Sequence, residues 1–379
     1  MSQLRFPAVF RLAGATCGLE AAAMIRNRLP LLALVVFTGM TSVNWSPDEA
    51  GIQLSDPKVL DHHGTTVVPV MDGAMPKGRN VLWCATFQMA WDAAVADFGA
   101  PIRLQPASKL AVALNRDSFD RRWVDEASVF ITEGRVDENV LSEIEEGVRK
   151  LTGRKSKLAN QLKKNSRPDD LVFFACLKKD LQFPQPFGKL GTWNLGKRRV
   201  PWFGYTPEQE GTGPLHRQVR VHHYGAKDDF VIELLGKTTG DQLLLAKLPK
   251  PPKTPGEVRR NVLNHLRADA PHSGPSDLLA VPNVVAEESA EFSELAGRTV
   301  AGSGLILRKA LQTIDFRMDE KGVKLRSEAA LSFGCSAQAP IERRLMILDP
   351  PFAIVMKRKG APHPYFVAWM ANADLLGGK

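Results

Sequence analysis

The sequence predicts an α+β fold rich in β-strands. Three stretches carry that prediction. Leu171-Val172-Phe173-Phe174-Ala175-Cys176-Leu177 is a continuous apolar run of the kind that forms a strand covered on both faces. Leu305 to Met318 ends in Ile314-Asp315-Phe316-Arg317-Met318, where apolar and charged residues alternate as a half-buried strand requires. Val323 to Phe333 alternates throughout: Val323, Leu325, Ser327, Ala329, Leu331 and Phe333 share one face, opposite Lys324, Arg326, Glu328, Ala330 and Ser332.

Composition sets the outer bounds. The chain has 379 residues, 44% hydrophobic and 24% charged, which is enough for a sizeable core in one or two domains. Its 50 basic and 41 acidic residues leave a net charge of +9, which favours an acidic partner or a solvated basic surface. No recognition motif accompanies the charge, so nucleic-acid binding is not expected.

Residues 1–43 read as an N-terminal extension and a signal-like segment. Met24-Ile25-Arg26-Asn27-Arg28 followed by Leu29 to Met40 has the basic start and short apolar run of a secretory signal. The expectation is therefore a secreted or periplasmic protein, with an uncleaved membrane anchor as the alternative. Cys17 would leave with that segment, and the remaining Cys84, Cys176 and Cys335 are an odd number that cannot pair completely, so no disulfide framework is expected. Cys84 and Cys176 lie in apolar runs and read as core residues.

Residues 44–79 read as a leader with at most a short strand at Thr65 to Met71, and residues 80–379 as a single folded domain. Asn80 to Phe98 places Leu82, Phe87, Ala90, Trp91 and Val95 near helical spacing and stops at Gly99. Ala127 to Thr132 reads as a strand. Glu138 to Leu151 reads as an amphipathic helix with Val140, Leu141, Ile144 and Val148 inward. The basic stretch from Arg149 to Lys164 is either a solvated face or a site for a polyanion.

Short strands are expected at Val219 to His223, Phe230 to Leu235 and Gln242 to Leu248, building the second and third sheets, and Lys247 to Pro255 is a proline-rich connector. Asp319-Glu320-Lys321-Gly322 reads as a turn, and Gly334 to Leu348, with Pro340, Arg343 and Arg344, mainly as a loop. After Pro350-Pro351 the run Phe352 to Met356 is apolar throughout, another covered strand.

Residues of catalytic type do not converge. His222 and His223 are adjacent, so on a strand they point to opposite faces and do not readily share a metal; His216 is the third member of the group. Gly302-Ser303-Gly304 lacks a third spaced glycine, and Gly334-Cys335-Ser336 lacks the setting of a nucleophile elbow. Neither an enzyme nor a cofactor is expected.

The order of elements in the last third resembles the serpin superfamily. The resemblance rests on Lys309-Ala310, Asp319-Glu320-Lys321-Gly322, Glu328-Ala329-Ala330, Pro351-Phe352 and Pro364-Tyr365-Phe366-Val367-Ala368-Trp369, and on Leu171–Leu177 followed by Phe183-Pro184-Gln185-Pro186-Phe187. It implies a large mixed central β-sheet that holds both Leu171–Leu177 and Lys309–Met318, with the helix carrying Val140, Leu141 and Ile144 packed nearby, together with two smaller sheets and a reduced set of helices. It implies a hinge at Glu320, Gly322, Val323, Leu325, Ser327 and Ala329. The reactive-centre loop would run around 335–344, with Cys335, Ser336, Ala337, Pro340, Ile341, Arg343 and Arg344 as candidates for the bait. It also implies a monomer whose partner is a serine or cysteine protease. Two departures point to a non-inhibitory binding scaffold instead. Bulky and charged residues, Val323 to Arg326, stand where small ones would speed insertion, and Ala175 replaces the family's asparagine. The long alternation further predicts that Val323–Phe333 already lies as a strand antiparallel to Lys309–Met318 in the intact chain.

Overall fold

The computed structural model describes residues 64–377 apart from 137–138, 210 and 324–342. Among the described residues the strands form five sheets. The largest is mixed, seven-stranded, in the order Thr65–Val67, Asn80–Cys84, Phe366–Met370, Phe352–Arg358, Asp241–Lys247, Asp229–Leu234, Val219–Ala226. Its only parallel pair is the first two strands, and Leu243, Leu244, Ile354, Val355 and Ala368 at its centre are fully buried. The runs expected to build two sheets thus build one. They are mutually antiparallel, and their apolar residues reach both faces.

Helical spacing from Asn80 onward proves misleading for its first five residues. Asn80–Cys84 is a strand, because it pairs with Phe366–Met370 on one side and with Thr65–Val67 on the other. The Asn80 side chain donates to Asn372 Oδ1 at 2.8 Å, fixing that edge. Tertiary pairing here overrides local periodicity. Packing also extends upstream, since Val68, Val70 and Met71 are buried.

The elements that frame the site follow in chain order. Helix α1 (Thr86–Phe98) ends where Gly99 takes a left-handed conformation. Strand β1 (Val129–Arg135) is followed by α2 (Val140–Thr152) and α3 (Lys157–Asn165), whose N-cap Ser156 accepts from the Ala159 amide. Strand β2 (Leu171–Leu177) pairs with β1 along its whole length. Val172 and Phe174 on one face of β2 join Val140, Ile144 and Val148 of α2 in a cluster, while Phe173 on the other face packs toward α1. After β2 come the short β3 (Leu181–Gln182), β4 (Val284–Glu291), β5 (Leu311–Asp319), β6 (Gly322–Val323) and β7 (Leu345–Ile347).

Strand β5 is the alternation read from the sequence: Gln312, Ile314, Phe316 and Met318 are buried, and the residues between them are half-buried. It pairs with β4 on one side. The expected shared sheet with β2 is corrected here. Strand β2 belongs to a two-stranded ladder with β1, and β5 to a four-stranded sheet in the order β4-β5-β6-β3. The seven residues of β2 and the body of β5 do not hydrogen-bond to each other. The expected loop Gly334 to Leu348 also closes earlier than expected, because β7 pairs parallel with Leu278–Ala280.

Candidate functional site

Where β5 turns back into β6, the chain is clamped. Met318 pairs with Val323 and Asp319 with Gly322, so Glu320-Lys321 is a two-residue turn. Strand β6 then lies between β5 and β3, antiparallel to both, with Gly322 opposite Gln182 and Val323 opposite Leu181. The carbonyls of Lys321 and Glu320 accept from the amides of Phe183 (2.9 Å) and Phe187 (2.8 Å). Those two rings meet edge to face at 4.9 Å in a buried aromatic cluster with Phe203. The buried Glu320 carboxylate reaches Lys189 Nζ at 3.4 Å. Gly322, at φ +152°, has no room for a side chain, because a Cβ would stand 2.3 Å from the Leu181 carbonyl oxygen.

Beyond Val323, among the described residues, β5 and the β2 segment that leads into β3 stand on either side of a cleft of about 650 Å3. Two strands that flank a third sit about 9.6 Å apart, so the head of the cleft is already set at the width of one strand. Its floor is α1, through Phe87, Ala90, Trp91, Ala94 and Phe98. Its roof is the end of α2 and the start of α3, including Thr152, Arg154 and Leu158. Strand β2 forms one wall and β5 the other.

Charges tie roof and walls together. Arg154 reaches down to Asp315 of β5 at 3.1 Å, Arg308 pairs with Asp170 at 2.6 Å, and Lys179 pairs with Asp241 at 3.0 Å. Inside, Gln312 donates to the Cys84 carbonyl and to Thr86 Oγ1, both at 3.0 Å, and leaves its own buried Oε1 without a hydrogen-bond partner. Cys84 and Cys176, read from the sequence as core residues, are half-buried on the cleft lining. Burial pushes both thiols up, Cys176 to about 11, so they stay protonated and unreactive at neutral pH. Among the described residues the lining thus offers apolar surface, strand edges without a ladder partner, fixed charges and two protonated thiols.

Of the candidate residues, Glu320, Gly322, Val323, Arg343 and Arg344 are described, whereas Leu325, Ser327, Ala329, Cys335, Ser336, Ala337, Pro340 and Ile341 fall outside the described residues. The predicted strand Val323–Phe333 is likewise described only at its first residue. Arg343 is exposed, 3.4 Å from Glu208. Arg344 is held: its Nε and Nη2 donate to the two carboxylate oxygens of buried Asp277 at 3.0 and 2.6 Å, and the hydrogen-bonded Asp277 raises its pKa further. Its carbonyl accepts from the Leu278 amide, fixing the entry to β7. Sequence reasoning missed Asp277, Lys189 and the α1 residues of the floor. The first two lie in irregular or weakly patterned stretches, and the third required knowing that β2 and β5 stand apart.

No protein-family model matches the chain, and no curated protein matches it in sequence. Solved structures do match. Tengpin, a thermophilic serpin in its native state, superposes with a TM-score of 0.50 at 11% identity, covering 82% of this chain and 97% of that one. A serpin from the trematode Schistosoma haematobium matches at TM-score 0.46 and 12% identity over 78% and 94% of the two chains. Serpin48 of the insect Tenebrio molitor matches at 0.45 and 16% over 79% and 92%. The likeness to tengpin spans nearly all of that chain, and the fold is serpin-like: α+β, with a large mixed sheet, smaller sheets and few helices.

Proposed function

We propose that this chain is an exported, monomeric serpin-like inhibitor that offers residues around 335–344 as bait to a serine or cysteine protease. The observation that supports this most directly is β6: the chain leading into the loop is already hydrogen-bonded between β3 and β5 at the head of the strand-wide cleft. On cleavage the enzyme's nucleophile forms an ester or thioester with the loop carbonyl, the new amine leaves, and the freed segment zips into the cleft while it is still attached to the enzyme. Distortion of the protease then prevents hydrolysis of that bond. Continuing the ladder from Val323 opposite Met318 sets Leu325 opposite Phe316, Ser327 opposite Ile314 and Ala329 opposite Gln312 on the floor side. It sets Arg326 opposite Asp315 on the roof side, in place of Arg154. Apolar and small residues thus meet the apolar face of β5, and a cation meets its carboxylate.

The second reading is a binding scaffold that does not trap proteases, with Val323–Phe333 already inserted in the main sheet of the intact chain. It is favoured by one specific position: Lys324 falls opposite Arg317 in the same ladder, a like-charged pair that slows entry, although Arg317 is also tied to Glu287. Export rests on the basic and apolar segment 24–43, and polyanion binding at Arg149–Lys164 would be a secondary property of the roof. Incubation with a panel of serine and cysteine proteases tests the reading. An SDS-resistant complex of summed mass is expected; clean turnover of the loop by every protease would leave the scaffold.

A further inference from the structure

The floor and the roof of the cleft differ in chemistry, and the difference describes a ligand. Trp91, Ala94 and Ile102 on the α1 side belong to a buried apolar cluster, and Phe87, Phe98 and Phe173 pack against it with part of their surface left over. All six line the cleft. At the roof and rim, eight cationic side chains (Arg154, Lys155, Lys157, Lys178, Lys179, Arg308, Lys309, Arg317) face five carboxylates (Asp169, Asp170, Asp180, Glu288, Asp315) among the described residues. Five of the cations are in ion pairs, Lys309 with Glu291 and Arg317 with Glu287 and Asp315 among them. Lys155, Lys157 and Lys178 make none with a described residue, and Lys155 and Lys157 stand at the exposed start of α3.

We propose that this cleft binds a free single-chain anionic amphiphile, with a long-chain carboxylate as the type. Its tail lies along α1 between Phe87 and Phe98, and its head group reaches Lys155, Lys157 and Lys178. The volume of about 650 Å3 is that of a pocket for a small organic ligand. An apolar floor strips water from the tail, while three cations that make no ion pair with a described residue sit where an anionic head emerges. Carboxylate and roof lysines are complementary, whereas an uncharged chain of the same length gains only the floor. The site fits a free molecule rather than a membrane surface, because its apolar wall is sunk between a helix and two strands instead of being displayed on an outer face. Ligand and inserted strand need the same space, so an occupied cleft resists strand entry. The inference rests on the geometry of the cleft and does not depend on protease inhibition.

Isothermal titration of the full chain with dodecanoate, kept below its micelle concentration and with no protease present, tests it. A single saturable site is expected. Binding should weaken by about tenfold or more in Lys155→Glu/Lys157→Glu, and by a similar factor in Ala90→Phe, which fills the floor, with both variants keeping the parent circular dichroism spectrum. The dodecanoate methyl ester should bind more weakly than the acid. Should Ala90→Phe not fold, the lysine pair and the ester carry the test, since neither touches the core. Absence of a saturable site, or equal affinity in the lysine variant, overturns the proposal. Co-sedimentation with anionic phosphatidylglycerol vesicles is expected to be absent; vesicle binding without dodecanoate binding would instead assign the lysines to a lipid surface and overturn it too. A chain that binds dodecanoate but traps no protease leaves this inference standing and refutes only the inhibitor reading.

Discussion

Gly322 approaches Leu181 so closely that a Cβ on it would stand 2.3 Å from the Leu181 carbonyl oxygen. Contact at that range joins β6 to β3 and sets the cleft's width at its head. Gly322→Ala should therefore destabilise the protein by about 1–3 kcal/mol through combined clash and backbone strain. Urea denaturation reads the loss, and hydrogen exchange at Val323 should rise with it. Unchanged stability would mean that β6 is not clamped.

At Gly147 the constraint is packing. A Cβ there would stand 2.2 Å from the Phe130 ring, so α2 rides directly on β1. Gly147→Ala should cost about 1–3 kcal/mol by overpacking, and Phe130→Leu in the same chain should recover part of it. Additive losses in the double variant would contradict direct contact.

Much of this frame was legible in the sequence. The run at Leu171–Leu177 and the alternation of Ile314 to Met318 gave two strands, because burial on one face or two leaves a periodic trace. Gly322 read as the last residue of the turn Asp319-Glu320-Lys321-Gly322. What the sequence could not show is that the two strands stand apart: each has the same pattern whether its neighbour is hydrogen-bonded or separated by a cleft. The pairing of Arg344 with Asp277 was hidden for another reason. It joins residues 67 apart through a loop that has no pattern. At Asn80–Cys84 the helical spacing was genuine but lost to pairing with Phe366–Met370.

The Arg344–Asp277 pair also separates two bait residues that look alike in sequence. Asp277 is 2% exposed, and removing Arg344 leaves its carboxylate buried with one fewer cation. Because the Arg344 side chain is partly solvated, Arg344→Ala should cost about 2 kcal/mol, below the full loss for a buried pair. Trypsin-like enzymes should cut after Arg343 before Arg344, which mass spectrometry of early digests checks. First cuts after Arg344 would mean that the pair opens readily.

Acid should weaken the fold through His216. It is buried between Thr212 Oγ1 (3.0 Å) and Ser273 Oγ (3.3 Å), against the Tyr205 ring, and burial holds its pKa below the ordinary 6.5. The folded state therefore favours the neutral ring, and the unfolded state binds the proton first. Stability is complete above about 6.5 and is lost as pH falls from there through the folded value. Denaturation midpoints between pH 8 and pH 5 should fall, and His216→Gln should flatten the slope. A pH-independent parent, or an equally steep variant, would contradict the assignment.

The central claim is that the cleft between β2 and β5 is a slot for the chain's own strand, and the melting temperature before and after a single cut between Cys335 and Arg344 tests it. Val323 is already 3% exposed, so Leu325, Leu331 and Phe333 are the large apolar residues whose burial entry of the strand after cutting would add. At about 1.5–3 kcal/mol each that is roughly 4.5–9 kcal/mol, an upper estimate before the cost of ordering the strand. A rise in melting temperature of more than about 10 °C is the predicted result. An unchanged melting temperature in a chain shown by mass spectrometry to be fully cut would contradict it and leave Val323–Phe333 as a strand already in place in the intact chain, the expectation from its alternation.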